Sequence, residues 1–423
     1  MIIPSIDIMD GKAVQLRQGR DLILTDPRHP AALAAEFGRY GPVAVVDLDA
    51  ALGRGQNREL VTACCRAARC RVGGGIRTHQ DVRDWIRRGA DKVVIGTMAE
   101  PEFLRVLPRE WIIAALDARG DEVVTQGWTA ATGRTVLEQA RRLEPHCSEF
   151  LYTQVDREGM LEGCALENAM ALRSTIGIPI TVAGGISSTR EVCQVVEAGF
   201  NAQLGRALYE GRIDLAEAWV SALRFDPAGL VPTIVQERRS RDVLMLAYSN
   251  TESLHRALTR GEGWYYSRSR QTLWRKGETS GHVQKLVSAS WDCDRDTVRF
   301  LVDQTGPTCH LGRSTCFDDG GYDVLGQLER LITLRRDGAP VGSYTQQLLN
   351  EPERISAKLR EEIEEVITAT NAFEVAWECA DVLYHLMVRM AAAGVDFDAV
   401  LRELRSRFKP DSPMKESGPK CGD

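Results

Sequence analysis

One spacing constrains this 423-residue chain more than any other feature. Asp7 in PSIDIMDG recurs 110 positions later as Asp117 in AALDARGD, and Gly74-Gly75-Ile76 recurs as Gly184-Gly185-Ile186 at the same offset. Gly89-Ala90 is matched by Gly199-Phe200, and Gly96 by Gly205 after a slip of one residue. A common offset at separate features points to an internal repeat, so the fold must be one that two similar halves can build together. Short apolar runs punctuate each half: IIPSIDI, VAVVDLDA, CRVGGG and KVVIGT, then WIIAALDA, EFLYTQV, PITVAGG and NAQLGRAL. Amphipathic segments such as DVRDWIRRGA and EVCQVVEAGF separate them. Eight such strand–helix units predict a (β/α)8 TIM barrel over residues 1–224, built from two half-barrels.

The rhythm stops near Arg224. RFDPAGLVP carries two prolines and reads as a linker. Residues 225–320 are rich in aromatics, Arg, Ser and Thr, which predicts a compact, strand-rich α+β domain with one helix around Thr251–Thr259. From Val324 the chain reads helical, with apolar residues near a 3.6 period in Leu359–Thr370 and Phe373–Ala393. An all-α domain is expected over 321–410 and a flexible Pro/Gly/Ser tail over 411–423.

The net charge of −6 disfavours a nucleic-acid-coating or anionic-membrane-binding protein. No apolar run is long enough to span a bilayer, and MIIPSIDIMDGK lacks the basic start of a signal peptide, so a cytoplasmic protein is expected. Eleven cysteines, an odd number, read as reduced thiols and not as a disulfide framework. Cys379 is expected in the core, and Cys64, Cys65, Cys70, Cys147 and Cys193 carry no evident chemistry.

Asp7 and Asp117 fall at the C-terminal ends of the first and fifth strands, on the catalytic face of such a barrel. The two strands lie opposite each other, so one carboxylate can act as general acid and the other as general base. Gly74-Gly75 and Gly184-Gly185 follow strands three and seven ahead of helix N-termini, where bare amides can hold phosphate. Gly205 and Arg206 add donors after strand eight. Two matched sites imply a substrate phosphorylated at each end.

These residues, within IIPSIDIMDGKAVQLRQG, VVDLDAALGRGQN, VGGGIR, LDARGDEVVTQGW and LGRALYEG, resemble the barrel isomerase of histidine biosynthesis over residues 1–223. That family converts ProFAR, a bisphosphorylated aminoaldose, to the aminoketose PRFAR by an Amadori rearrangement. The resemblance implies that Asp7 removes the C2 proton and that a carboxylate of strand five or six protonates the ring oxygen. Strand six departs from the family pattern. Gln154 stands where the first Asp is expected, Glu158 replaces the second, and Cys164-Ala165 lie where an Asn is expected.

In the middle domain, Asp292, Asp294 and Asp296 alternate with Cys293 and Arg295. On a strand the three carboxylates would share one face and suit Mg2+. Cys293, Cys309 and Cys316 would leave a fourth Zn2+ position for water, as catalytic zinc sites do. Together with YYSRSRQTLWRKGETSG and GPTCHLGRSTCF, the DCDRD motif resembles phosphoribosyl-AMP cyclohydrolase over residues 231–318. That family opens the adenine six-membered ring with zinc-activated water, and its zinc ligands come from both subunits of a dimer. The resemblance implies a homodimer, a proton-transfer role for His310, and phosphate or ribose contacts from Arg268, Ser269 and Lys276.

In the helical domain, Glu362/Glu365 and Glu378/Asp381 are i,i+3 pairs, each on one helix face. Packed together they would gather four carboxylates around Mg2+. Glu378 and Asp381 lie within the apolar stretch WECADVLYHLMV, where buried carboxylates require a cation. The paired motifs resemble phosphoribosyl-ATP diphosphatase over about residues 324–408. That family releases pyrophosphate from phosphoribosyl-ATP. The three resemblances chain: the product of each domain feeds the one before it in sequence. A trifunctional histidine-biosynthesis enzyme is therefore expected. Two alternatives stay open: a bifunctional enzyme whose barrel is a scaffold or dimerisation module, and a general nucleotide pyrophosphohydrolase fused to a zinc module.

Overall fold

The computed structural model describes residues 1–407 apart from 126, 162, 165, 318–323 and 339–341. The expected tail with Cys421, and the expected boundary at residue 320, lie outside the described residues. The eight expected strands are all present: β1 (Ile2–Met9), β2 (Val43–Asp47), β3 (Cys70–Gly73), β4 (Lys92–Ile95), β5 (Ile112–Arg119), β6 (Glu149–Gln154), β7 (Ile180–Ala183) and β8 (Asn201–Leu204). Each pairs in parallel with the next, and β8 returns to β1, so the barrel is closed.

The sequence repeat is a structural repeat. β1 and β5, and likewise β3 and β7, have bounds offset by 110 residues. So do the helices that follow the glycine loops, α1 (His79–Arg87) and α2 (Thr189–Glu197), capped by the Thr78 and Ser188 side chains. Gly74 and Gly184 sit at φ 95° and 92°, where a Cβ would strike the backbone of the preceding strand–helix unit. Only glycine fits such a turn, which is why the glycines survive in both halves.

A polar cluster closes the N-terminal end of the barrel. Arg71 pairs with Glu149 at 2.5 Å, both about 3% exposed, and Thr181, Asn201 and Lys92 complete the carboxylate's partners. Burial raises the Glu149 pKa, but Arg71, Thr181 and Lys92 outweigh it and hold the group ionised.

The second sheet comprises β9 (Val231–Glu237), β10 (Val243–Ser249), β11 (Trp264–Ser267), β12 (Thr272–Arg275), β13 (Gln284–Trp291) and β14 (Val298–Gln304). Their order is β12-β11-β10-β9-β14-β13, antiparallel except for β9 with β14. The barrel's last helix, α3 (Leu215–Ser221), and the sheet's helix, α4 (Thr251–Arg260), join the two bodies. Trp219 of α3 lies 4.9 Å from Trp291 of β13, and its indole donates to the Tyr40 carbonyl. Arg39 donates to the carbonyls of Leu258 and Thr259, capping the last turn of α4. The apolar core is consequently continuous from barrel to sheet.

Among the described residues five helices follow: α5 (Val324–Gly338), α6 (Tyr344–Asn350), α7 (Pro352–Thr368), α8 (Ala372–Ala392) and α9 (Phe397–Ser406). Their small separate core is Ile332, Leu348, Ile355, Met387 and Val388. α9 docks on the barrel, where Arg405 donates to the Asp91 carbonyl and Arg83 and Arg87 reach Ser406. Elsewhere large apolar side chains face outward, Ile367 at 69%, Phe373 at 74% and Trp377 at 61% exposure. Cys379 is exposed as well, not in the core as expected, because the first turns of α8 are uncovered nearly all round. Among the described residues no helix is long and apolar enough to cross a membrane.

Candidate active sites

The C-terminal mouth of the barrel encloses a cavity of about 360 Å³. Asp7 reaches it from the end of β1 and Asp117 from the end of β5. Glu158 arrives from beyond β6, after one 3-10 turn at Val155–Arg157. Its backbone carbonyl accepts from Gln18 at the tip of a hairpin rising out of β1, so the loops after β1 and β6 hold each other. A Cβ on Gly184 would lie 3.1 Å from a Glu158 oxygen, so the glycine also makes room for this carboxylate.

Each of the three residues is partly buried and lines the cavity. Burial pushes the Asp7 carboxyl up to about 6, opposed by a hydrogen bond from Ser5. Burial likewise raises Asp117, against hydrogen bonds from Trp128 and Thr153. Glu158 is pushed up to about 7, mainly by burial and then by the negative charges of Asp7 and Asp117. Three carboxyls that differ in proton affinity around one cavity can divide base and acid roles near neutral pH.

Gly74, Gly75, Gly184, Gly185, Gly205 and Arg206 all line the same cavity. The Arg206 guanidinium is held by Glu210 and by the Gly159 carbonyl. Trp128 was not foreseen. It sits at φ 68° on the hairpin after β5, donates to Asp117 at 2.9 Å, and lays its ring against Gly19. A second cleft of about 550 Å³, at the barrel–sheet junction, holds none of the expected catalytic side chains.

In the middle domain the three aspartates are not on a strand. β13 ends at Trp291, which pairs with Val298, so residues 292–297 must reverse the chain. Asp292, Asp294 and Asp296 lie on that exposed loop, and their oxygens still come within 4.8 Å of one another. The thiols of Cys309 and Cys316 are neighbours: burial and then Cys309 raise the Cys316 pKa. Cys293, on the aspartate loop, does not join them within 4.8 Å in the one chain. His310 is exposed, with Nδ1 3.9 Å from the Cys309 sulfur. Lys276 donates to the Thr308 carbonyl beside Cys309, which places it at this turn. Arg268 stacks over Tyr248 at 3.7 Å, and Ser269 is exposed next to it.

In the helical region Glu362, Glu365 and Glu378 bring oxygens within 4.8 Å of one another. Asp381 stands one turn along α8; its charge raises the pKa of Glu362 and Glu378, after burial and nearer groups, but its carboxylate is outside that trio. The expected burial of Glu378 and Asp381 is corrected: the apolar residues around them face outward, and Glu362 of α7 is the buried member, 6% exposed. Lys358 and His385, neither given a role from the sequence, face it, each with a side-chain nitrogen 3.7 Å from its Oε1.

Residues 1–214 match the family described as histidine biosynthesis protein, just over half of the chain. The chain belongs to that family. This histidine-biosynthesis protein also matches the phosphoribosyl-AMP cyclohydrolase family over residues 245–318 and the phosphoribosyl-ATP pyrophosphohydrolase family over 325–408. It is 40% identical over 206 residues to the histidine biosynthesis bifunctional protein HisIE of Halalkalibacterium halodurans, covering 45% of this chain and 98% of that one. The HisIE protein of Escherichia coli is 43% identical over 187 residues, 43% of this chain and 92% of its own. A histidine biosynthesis trifunctional protein of Kluyveromyces lactis is 42% identical over 191 residues, 44% of this chain and 24% of its own. The histidine-biosynthesis protein is therefore a multidomain enzyme with cyclohydrolase and pyrophosphohydrolase domains beside its barrel.

Proposed function

We propose that the enzyme carries out three consecutive steps. The helical domain converts phosphoribosyl-ATP to phosphoribosyl-AMP and pyrophosphate, the middle domain hydrolyses the adenine ring to give ProFAR, and the barrel isomerises ProFAR to PRFAR. The observation that carries the third step is the convergence of Asp7, Asp117 and Glu158 on one cavity between two matched glycine loops. Amides of the loops at Gly74-Gly75 and Gly184-Gly185, with Gly205 and Arg206, hold the two terminal phosphates and stretch the substrate across the mouth. Glu158, protonated near neutral pH, gives its proton to the ring oxygen as the C1–O bond breaks. Asp7 takes the C2 proton from the opened aldimine to give the enolamine; a proton then returns to C1 as the C2 hydroxyl gives up its own, which restores the acid and leaves the ketose. Asp117, tied to Trp128, orients the aminoaldose between them.

The other two sites have donor sets that fit metals: neighbouring thiols at Cys309 and Cys316, and two groups of three converging carboxylates. Bound zinc supplies an activated water at neutral pH, and bound magnesium neutralises phosphate charge. Cys293 of a second copy completes the thiol set, with His310 placed to move a proton and Arg268, Ser269 and Lys276 to hold the ribosyl phosphate. Glu362, Glu365 and Glu378, with Asp381 one turn along, would hold magnesium, which would neutralise charge on the triphosphate. A homodimer is supported by the separation of Cys293 from the other two thiols and by the uncovered apolar side of α7 and α8. The ten described cysteines are all free, in keeping with action in the cytoplasm.

Incubating the full chain with phosphoribosyl-ATP, Mg2+ and Zn2+ tests the reading, with Asp7→Asn as the control. PRFAR formed by the parent and not by the variant is the expected result. Glu158 and Gln154, both departures from the family pattern, favour a second reading in which the barrel is a scaffold; accumulation of ProFAR alone at high enzyme concentration would establish it.

A further inference from the structure

Arg295 breaks the pattern of the loop that carries it. Its neighbours Asp294 and Asp296 are exposed, yet Arg295 is 8% exposed. Its backbone is left-handed, at φ 69°, a conformation in which a residue with a side chain is strained. A position so strained persists when other contacts hold it, and here both ends of the residue are held by the barrel. The guanidinium donates to the Ala222 carbonyl at 3.3 Å, just past α3, and the Arg295 carbonyl accepts from the Arg224 amide at 2.8 Å. Its positive charge is felt at Cys193 of barrel helix α2. Among the described residues no carboxylate lies within 4.0 Å of it, so an ion pair does not account for its burial.

We propose that Arg295 is a positioning residue through which the barrel holds the acidic loop in its cation-binding shape. The three aspartates of residues 292–297 place like charges within 4.8 Å of one another, and a loop free to relax would splay them apart. Asp292 resists from one end, its Oδ1 accepting from the amides of Asp296 and Thr297. Arg295 resists from the middle. Asp294 and Asp296 are exposed to solvent while the residue between them is bolted to residues 222–224. Trp291, at the mouth of the loop, is braced in the same way against Trp219. The barrel thus supports the middle domain's site whether or not it turns over its own substrate.

The inference rests on the loop being a cation site of the cyclohydrolase domain, and the test separates the two claims. Mn2+ is titrated into the full chain by calorimetry, with Glu362→Gln and Glu378→Gln present throughout to silence the helical cluster. Asp294→Asn identifies the loop's share of the uptake. Arg295→Gly accepts φ 69° without strain, so it removes the guanidinium's hold on Ala222 and keeps the fold and the backbone bond to Arg224; its Mn2+ affinity is expected to fall about tenfold, as for other groups that orient metal ligands. Arg295→Lys, able to reach the same carbonyl, is expected to recover to within about threefold of the parent. The near-ultraviolet circular dichroism of the Trp219–Trp291 pair should weaken in Arg295→Gly and return in Arg295→Lys. Parental Mn2+ affinity in Arg295→Gly, or a lysine variant no better than the glycine one, would overturn the proposal and leave the cation site standing. Uptake by the parent that ignores Asp294→Asn would overturn both.

Discussion

In the barrel, Asp7, Asp117 and Glu158 line a cavity that their own chain encloses. In the helical region, Glu362, Glu365 and Glu378 converge where their own chain buries only Glu362 and leaves Glu365 exposed. Both are clusters of three acids, but the barrel closes every strand edge and wraps its strands in helices, so its carboxyls pay desolvation and their pKa values rise toward neutrality. The five helices bury few large side chains and keep Phe373, Trp377 and Ile367 outside. One region encloses its site alone and the other leaves apolar side chains uncovered beside it.

The largest expected difference comes from single acids. Asp7→Asn should lower isomerisation by about 1,000-fold, the usual loss with a general base, and leave pyrophosphate release intact. Equal losses in both assays would mean that the regions are not independent. Next, Glu378→Gln should lower pyrophosphate release about 100-fold through weaker cation holding, with isomerisation unchanged.

The third prediction uses acidity. Asp7 must be ionised to act as base, so isomerisation falls as pH drops below about 6; Glu158 must be protonated to act as acid, so it falls as pH rises above about 7. The kcat/KM profile should therefore be bell-shaped, losing about tenfold per pH unit on either limb, with apparent values that belong to the coupled set. Glu158→Gln should abolish the alkaline limb. A profile flat to pH 9 would remove Glu158 from the acid role.

Smaller effects test the open face. Trp377→Asp should weaken self-association about tenfold by sedimentation, if a second copy covers α8. Unchanged association would assign that face to another partner. Smallest of all, Arg39→Ala removes the cap on α4 and should cost about 1 kcal/mol, read as a few degrees in thermal unfolding of the barrel–sheet body.

Much of the barrel site was legible because its signals are local. A glycine at φ 95° is demanded by the turn it occupies, and an Asp at a strand end is placed by the strand. The Asp292–Asp296 spacing was legible as a cluster but was read on the wrong element: alternation along a sequence looks the same on a strand and in a tight loop. Trp128 and Arg295 gave no signal, since each acts on a residue that only folding brings near, Asp117 across a hairpin and Ala222 across a domain boundary.

The sequence by itself determined the eight strands, the two-fold repeat and the chemical type of each acid cluster, because periodicity and glycine placement state which side of an element must be buried or must turn. The tertiary structure alone decided what lies against each side. It set Glu158 among Asp7 and Asp117, kept Cys293 from Cys309 and Cys316, and turned Trp377 outward. Burial depends on segments far away in the chain, and an apolar face reads the same whether its own chain covers it or leaves it for another.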